Sequence, residues 1–252
     1  MSSDTGRHTG RYTGRTVLVT GGTRGLGLGI ADAFAAEGAD VVVCGRTEAG
    51  PHPFLACDVR DPAAVDALVD EVVARTGRLD VVVNNAGGSP SALVAEASPR
   101  FHQRIVELNL LAPLYVAKAA QRVMAGQPEG GVVLMIGSVA AIRPAPGTAA
   151  YAAAKAGLVT LTRALAVEWA PHVRVNCVSP GLIATEAETY GADVRAVEAT
   201  IPAGRLATPA DVAAACLALA APELRYTTGT ELVVDGGGEI PAFHTAGGDT
   251  SA

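Results

Sequence analysis

Short apolar runs recur along the chain, and most are followed by a stretch whose apolar residues return at helical spacing. Val17-Leu18-Val19 is the first run and leads into Thr20-Gly21-Gly22. Residues 25–37 predict a helix closed by Gly38, the residue type that most easily takes the left-handed turn beyond a helix end. Residues 41–44 predict a second strand, and residues 53–57 contain a third. Asp61-Pro62 opens a helix with proline in its first turn, running to about Thr76 before Gly77. A strand at 81–83, a long helix over 99–124 and a strand at 132–136 follow. A helix over 149–169, a strand at 173–178, a helix over 209–221 and a strand at 231–234 complete the series.

Strand and helix alternate throughout, which predicts an α/β fold with a parallel sheet covered by helices on both faces. The expected architecture is three-layer αβα, a doubly wound parallel sheet of about seven strands of the Rossmann type. Residues 1–14 are polar and rich in Gly and Thr and read as a disordered lead-in. Residues 15–240 read as one catalytic domain, and residues 241–252 as a tail. One crossover is unusual. Between Arg46 and Asp58 there is room for a strand and hardly for a helix, and Gly50-Pro51-His52-Pro53 disfavours one further. A tight loop there leaves the adenosine end of a dinucleotide more exposed.

Composition narrows the class. The chain is 49% hydrophobic but only 4% aromatic, which suits closely packed helices on a buried sheet. A net charge of −6 without a basic cluster argues against nucleic acid as a partner. No apolar stretch is long enough to span a bilayer, the N-terminus lacks the apolar core of a signal peptide, and a cytoplasmic location is expected. Cys44, Cys57, Cys177 and Cys216 are widely separated, the histidines are scattered, and no metal site is expected.

The run Thr20-Gly21-Gly22-Thr23-Arg24-Gly25-Leu26-Gly27 sits between the first strand and the first helix. Glycines there let the backbone approach a pyrophosphate, and the free N–H groups of the helix start attract its charge. A glycine-rich turn alone is a weak signal, and its position at the first strand–helix junction is what favours binding. NAD sites commonly carry an acid after the second strand. Here that strand ends Cys44-Gly45-Arg46, and Arg46 and Arg24 are both suited to a 2′-phosphate, which favours NADP(H), with NAD(H) possible. Both arginines can equally be solvated loop residues. Asp58-Val59, after the third strand, is a candidate for the adenine, although a lone Asp at a strand end is also a common turn or cap.

Tyr151 and Lys155 are four apart at the start of a predicted helix, so their side chains share a face. A free tyrosine holds its proton to about pH 10, and a nearby ammonium favours the phenolate. The pair also arises by chance in many helices. Ser138 follows the fifth strand at its carboxyl end, where open α/β sheets bind ligands, and its hydroxyl is placed to reach a substrate oxygen beside Tyr151. An ordinary strand-end serine turn would read the same way.

Together these residues resemble the short-chain dehydrogenase/reductase family in its compact form, over roughly residues 15–238. The resemblance rests on Thr20-Gly-x-x-x-Gly25-x-Gly27, Asn84-Asn85-Ala86-Gly87 after strand four, Ser138, Tyr151-x-x-x-Lys155 and Pro180-Gly181 after strand six. It implies a hydride transfer between a ketone and a secondary alcohol. Tyr151 is then the acid/base, Ser138 polarises the carbonyl, and Lys155 binds the nicotinamide ribose. Asn109, in the long helix, holds a water that links Lys155 to solvent. The resemblance further implies that Asn85, Ala86 and Gly87 line the cofactor, and Pro180, Gly181, Ile183 and Thr185 its nicotinamide end. Gly137 stands where the family often has a second serine, a change expected to be harmless.

Substrate choice is expected in the loops after strands four, five and six, residues 88–98, 140–148 and 185–205. The last should hold a short helix acting as a lid, with Tyr190 as its aromatic. The mostly apolar lining suits acyl thioesters, alicyclic ketones or steroid-like carbonyls, and similarity to 3-oxoacyl-carrier-protein reductases makes the thioester the leading expectation. Two alternatives stand: an NAD-dependent alcohol or hydroxysteroid-type dehydrogenase, and a non-catalytic NADP-binding protein. Ala- and Leu-rich faces around Asn109 and Tyr151 predict a homotetramer, or a dimer.

Overall fold

Valine-rich runs with few polar interruptions suit strands buried on both faces, and the computed structural model of the chain assembles seven of them among its described residues, 10–143, 145–185 and 193–241. They are β1 (Thr16–Thr20), β2 (Asp40–Gly45), β3 (Phe54–Ala56), β4 (Val81–Asn84), β5 (Gly131–Ile136), β6 (Val173–Pro180) and β7 (Glu231–Val234). All pair in parallel, in the order β3-β2-β1-β4-β5-β6-β7. The order reverses direction between β1 and β4, and the carboxyl ends of those two strands form the crevice in which such sheets take ligands.

Alternation along each strand separates the core into two layers. Leu18, Val82, Val133 and Met135 face the helices α2 (Pro62–Thr76), α4 (Ala112–Met124) and α5 (Ala149–Trp169). Val17, Val19, Val81, Val83, Val132 and Leu134 face α1 (Gly25–Ala36) and α7 (Pro209–Ala220). Each fully buried Val or Leu contributes about 1.5–3 kcal/mol of transfer free energy, so the sheet is the main source of stability.

Helix starts differ in a way that bears on function. Asp61 accepts from the backbone N–H groups of Ala63 and Ala64 to cap α2, Ser98 caps α3 (Pro99–Val106), and Thr208 with Asp211 forms a capping box on α7. Each has proline in its first turn. α1 and α5, which begin at the carboxyl ends of β1 and β5, have no side-chain cap and no acid in the first turn. The expected long helix over 99–124 is interrupted by a π turn, Glu107–Leu111, between α3 and α4. Pro113 brings no N–H to the ladder there, and the widened turn holds Asn109.

Within the expected lead-in, residues 11–14 form a turn. Tyr12 is 2% exposed, packs edge-on to Phe34 at 4.9 Å, and donates its hydroxyl hydrogen to the carbonyl of Leu217 at 2.5 Å. An aromatic ring with a polar tip is well matched to the gap between α1 and α7. The crossover after Arg46 is a loop without helix, folded back so that Gly50 lies beside Leu28. A short helix, α6 (Val194–Glu198), occurs in the segment after β6. Tyr190 and Pro144 lie outside the described residues, as does the tail beyond Pro241.

Candidate active site

The glycine-rich turn is shaped by contacts that exclude side chains. A Cβ on Gly27 would fall 2.2 Å from the carbonyl oxygen of Gly21, and one on Gly22 would fall 2.6 Å from Cγ1 of Val43. Gly21 and Gly25 have φ of 63° and 55°, the left-handed region where glycine carries no penalty. Across the crevice, Thr185 comes within 3.9 Å of where a Gly25 Cβ would be, so the first and last segments assigned to the cofactor face one another.

Thr20 and Asn85 lock the switch point. The Thr20 hydroxyl oxygen accepts from the backbone N–H of Asn85 and of Ala86, both at 3.0 Å. The Asn85 amide donates to the carbonyls of Thr20 at 3.0 Å and Gly21 at 3.2 Å. Four bonds thus join the turn after β1 to the turn after β4. Thr20 was legible as part of the motif, but its role as the clamp was not.

The adenosine end has no carboxylate at the end of β2. Arg24 and Arg46 are exposed, and Thr23 packs beside Gly45. Asp58 is held by Arg60, whose side chain and backbone donate to its carboxylate at 2.5–3.1 Å. These bonds, with a smaller contribution from Arg46, depress the Asp58 carboxyl to about 2. Arg46 therefore shares the corner with Asp58, while Val59 is buried behind it. The uncapped helix start and the glycine cradle together suit the pyrophosphate of a dinucleotide.

At the other end, α5 lays Tyr151 and Lys155 against the end of β5. Lys155 is 4% exposed; its Nζ donates to the carbonyl of Ile136 at 2.7 Å and stands 5.5 Å from the centre of the Tyr151 ring. Ser138, two residues past β5, accepts at Oγ from the backbone N–H of Ala140 at 3.1 Å. An oxygen that already accepts keeps its own hydrogen to donate. Asn109 is fully buried. Its amide donates to the carbonyls of Ile105 and Gly88 and accepts from the N–H of Gly88 at 2.9 Å. A Cβ on Gly87 would lie 2.8 Å from Asn109 Oδ1 and 3.4 Å from Lys155 Nζ, so these groups meet beneath the turn after β4. On the far wall, Ile183 is buried in a bridge to Ala207, and Gly181 leaves no room for a Cβ beside Asp235.

Gly137 stands where a side chain has no room. A Cβ there would lie 2.3 Å from Ser179 Oγ and 2.8 Å from Cys177 Sγ. Ser179 is buried and donates to Glu231 at 2.7 Å, so the space that a second serine would need is taken. Among the described residues no cluster of His, Cys, Asp or Glu is arranged to hold a metal ion, and no helix is long and apolar enough to cross a membrane.

Sequence reasoning missed Arg143 and Asp235, which are 92 positions apart and paired at 2.8 Å. No local signal marks such a pair.

Residues 21–239 match the family model described as enoyl-(acyl carrier protein) reductase. The chain is 40% identical over 256 residues to L-fucose dehydrogenase of Bos taurus, covering 94% of each. It is 36% identical over 239 residues to the 3-oxoacyl-[acyl-carrier-protein] reductase FabG of Escherichia coli K12, covering 90% of this chain and 98% of that one. Among solved structures, the ligand-free aldohexose dehydrogenase of Thermoplasma acidophilum superposes with a TM-score of 0.85 at 29% identity, covering 90% of this chain and 94% of that one.

Proposed function

The chain belongs to the short-chain dehydrogenase/reductase family, and on that premise we propose that it interconverts a ketone and a secondary alcohol with NADP(H), Tyr151 being the acid/base. As a member it is an oxidoreductase that uses a nicotinamide dinucleotide and acts on a small molecule. The observation that carries the finer reading is the Lys155 ammonium, buried 5.5 Å from the Tyr151 ring beside the strand end that bears Ser138.

A bound nicotinamide dinucleotide supplies the hydride chemistry, and the protein supplies orientation and proton handling. Gly21, Thr23, Arg24, Gly25, Leu26 and Gly27 would hold its pyrophosphate, Arg46 its 2′-phosphate, and Asp58 with Val59 its adenine. Asn85, Ala86 and Gly87 would line its middle, and Pro180, Gly181, Ile183 and Thr185 its nicotinamide end. Ser138 donates a hydrogen bond to the substrate oxygen. Tyr151 gives that oxygen a proton in reduction and takes one in oxidation. Lys155 favours the phenolate by its charge and reaches the nicotinamide ribose. The amide of Asn109 is committed to Ile105 and Gly88, so a water-held proton relay would run through its backbone, while its side chain fixes the turn under Lys155. Exposed Leu111 and Val167, on the helices expected to pair, support a homotetramer.

For the substrate, the apolar loop composition favours a 3-oxoacyl thioester. A second reading, oxidation of a sugar hydroxyl, draws on relatives that act on L-fucose and aldohexoses by name. The test is a panel: NADPH oxidation with acetoacetyl-CoA and a cyclic ketone, NADP+ reduction with L-fucose and an aldohexose, each repeated with the NAD pair and with Arg46→Ala. Turnover that prefers NADP(H), with the preference lost in Arg46→Ala, supports the cofactor assignment. An unchanged preference in that variant overturns it.

A further inference from the structure

Residues 235–240, just past β7, touch three segments that border the substrate side of the crevice. Asp235 packs on Gly181, where a Cβ would come within 2.8 Å of its own Cβ, and Gly181 N–H donates to the carbonyl of Val234 at 2.9 Å. Gly236 accepts from the N–H of Ala203 at 3.0 Å, and Ile240 N–H donates to the carbonyl of Thr200 at 2.7 Å, which ties down the base of the segment carrying α6. The third tie is electrostatic. Arg143 Nη2 meets Asp235 Oδ2 at 2.8 Å, Nη1 is 4.0 Å from Glu239, and a Gly238 Cβ would lie 2.9 Å from Nη1.

Arg143 ends a turn that begins at Ser138. Ala140 N–H donates to Ser138 Oγ, Ala141 N–H to the Ser138 carbonyl, and Arg143 N–H to the Val139 carbonyl at 2.8 Å. Holding Arg143 therefore holds the far end of the turn whose near end presents the Ser138 hydroxyl. The side chain is only partly satisfied: its Nε is buried and has no hydrogen-bond partner among the described residues. A buried donor without an acceptor is unfavourable, so stability alone does not account for an arginine here.

We propose that Arg143 and Asp235 are a positioning pair that fixes the Ser138 turn, the Gly181 loop and the base of α6 relative to one another, so that the substrate oxygen meets Ser138 and Tyr151 in register. The kinetic part of this inference rests on the proposed oxidoreductase reading; the mechanical part does not. Asp235 packs on Gly181, which would line the nicotinamide end, so loss of the pair should lower NADPH affinity less than it lowers turnover.

Two measurements on Arg143→Met, Asp235→Asn and Arg143→Lys test it. Hydrogen exchange on the protein alone should show faster exchange at residues 139–143 and 200–204 in the first two variants. β1, β4 and β5 should stay as protected as in wild type, and Arg143→Lys should recover part of the protection. Kinetics with acetoacetyl-CoA or L-fucose, whichever the wild type turns over, should show kcat/KM lower by about 10- to 100-fold, with a smaller loss of NADPH affinity. Exchange that is unaltered, rises in one segment alone, or rises throughout the sheet overturns the proposal. So does NADPH affinity that falls in step with kcat/KM. A wild type that turns over neither substrate counts against the proposed substrates, and the exchange result still decides the pair.

Discussion

Lys155 Nζ donates to the carbonyl oxygen of Ile136, the last residue of β5, at 2.7 Å, from a side chain only 4% exposed. A buried ammonium is costly unless paired or hydrogen-bonded. This one is retained where its charge lies 5.5 Å from the Tyr151 ring. The strand end thus holds the lysine beside the tyrosine ring.

Replacing that charge should change both rate and pH dependence. In Lys155→Met the phenolate loses its stabilising neighbour, so the rising limb of alcohol oxidation moves to higher pH. The kcat falls by about two orders of magnitude. A pH profile of kcat for wild type and variant checks this; an unmoved limb would mean that the ammonium does not act on the tyrosine.

Gly137→Ser should destabilise the fold by about 1–3 kcal/mol, because the added atoms meet Ser179 Oγ and Cys177 Sγ in a packed strand pair. Adding Ser179→Ala should recover part of the loss by removing the nearest atom. Thermal or denaturant unfolding of the single and double variants reads the effect, and full stability in Gly137→Ser would show that the strand ends adjust freely.

The described cysteines are free and buried. Burial pushes the thiols of Cys44 and Cys216 up to about 12 from an ordinary value of 9.0, because a thiolate has no solvation there. A raised folded-state value means that this stability is complete below the unfolded value and is lost as pH rises above it. Stability should therefore fall between pH 9 and 12, by about 1 kcal/mol per pH unit for each such group. The decline should be shallower in Cys216→Ala than in wild type. Parallel unfolding curves for the two across that range would contradict the assignment.

Much of this was legible because the signals were local. Val17 to Val19, Val81 to Val83 and the other valine runs announce buried parallel strands without further context, and Asp61-Pro62 announces a helix start. Tyr151 and Lys155 share a helical face by spacing alone. What was not legible depends on distant partners. Tyr12 lies in a polar, glycine-rich stretch and is ordered only because Phe34 and Leu217 leave a place for its ring and hydroxyl. The π turn at Asn109 hardly disturbs the hydrophobic period, so the helix reads as continuous. That Gly137 has no room for a side chain depends on Ser179 of the next strand. Arg143 and Asp235 give no hint of each other.

The central claim is that Tyr151 handles the proton, and Tyr151→Phe tests it most directly because the ring and its packing stay while the hydroxyl goes. The measurement is steady-state turnover of wild type and variant on the best substrate of the panel, with NADPH titrated into both. Turnover should fall by about 100- to 10,000-fold, with NADPH binding retained. A variant that keeps wild-type turnover while binding NADPH normally would contradict it and place the acid/base elsewhere.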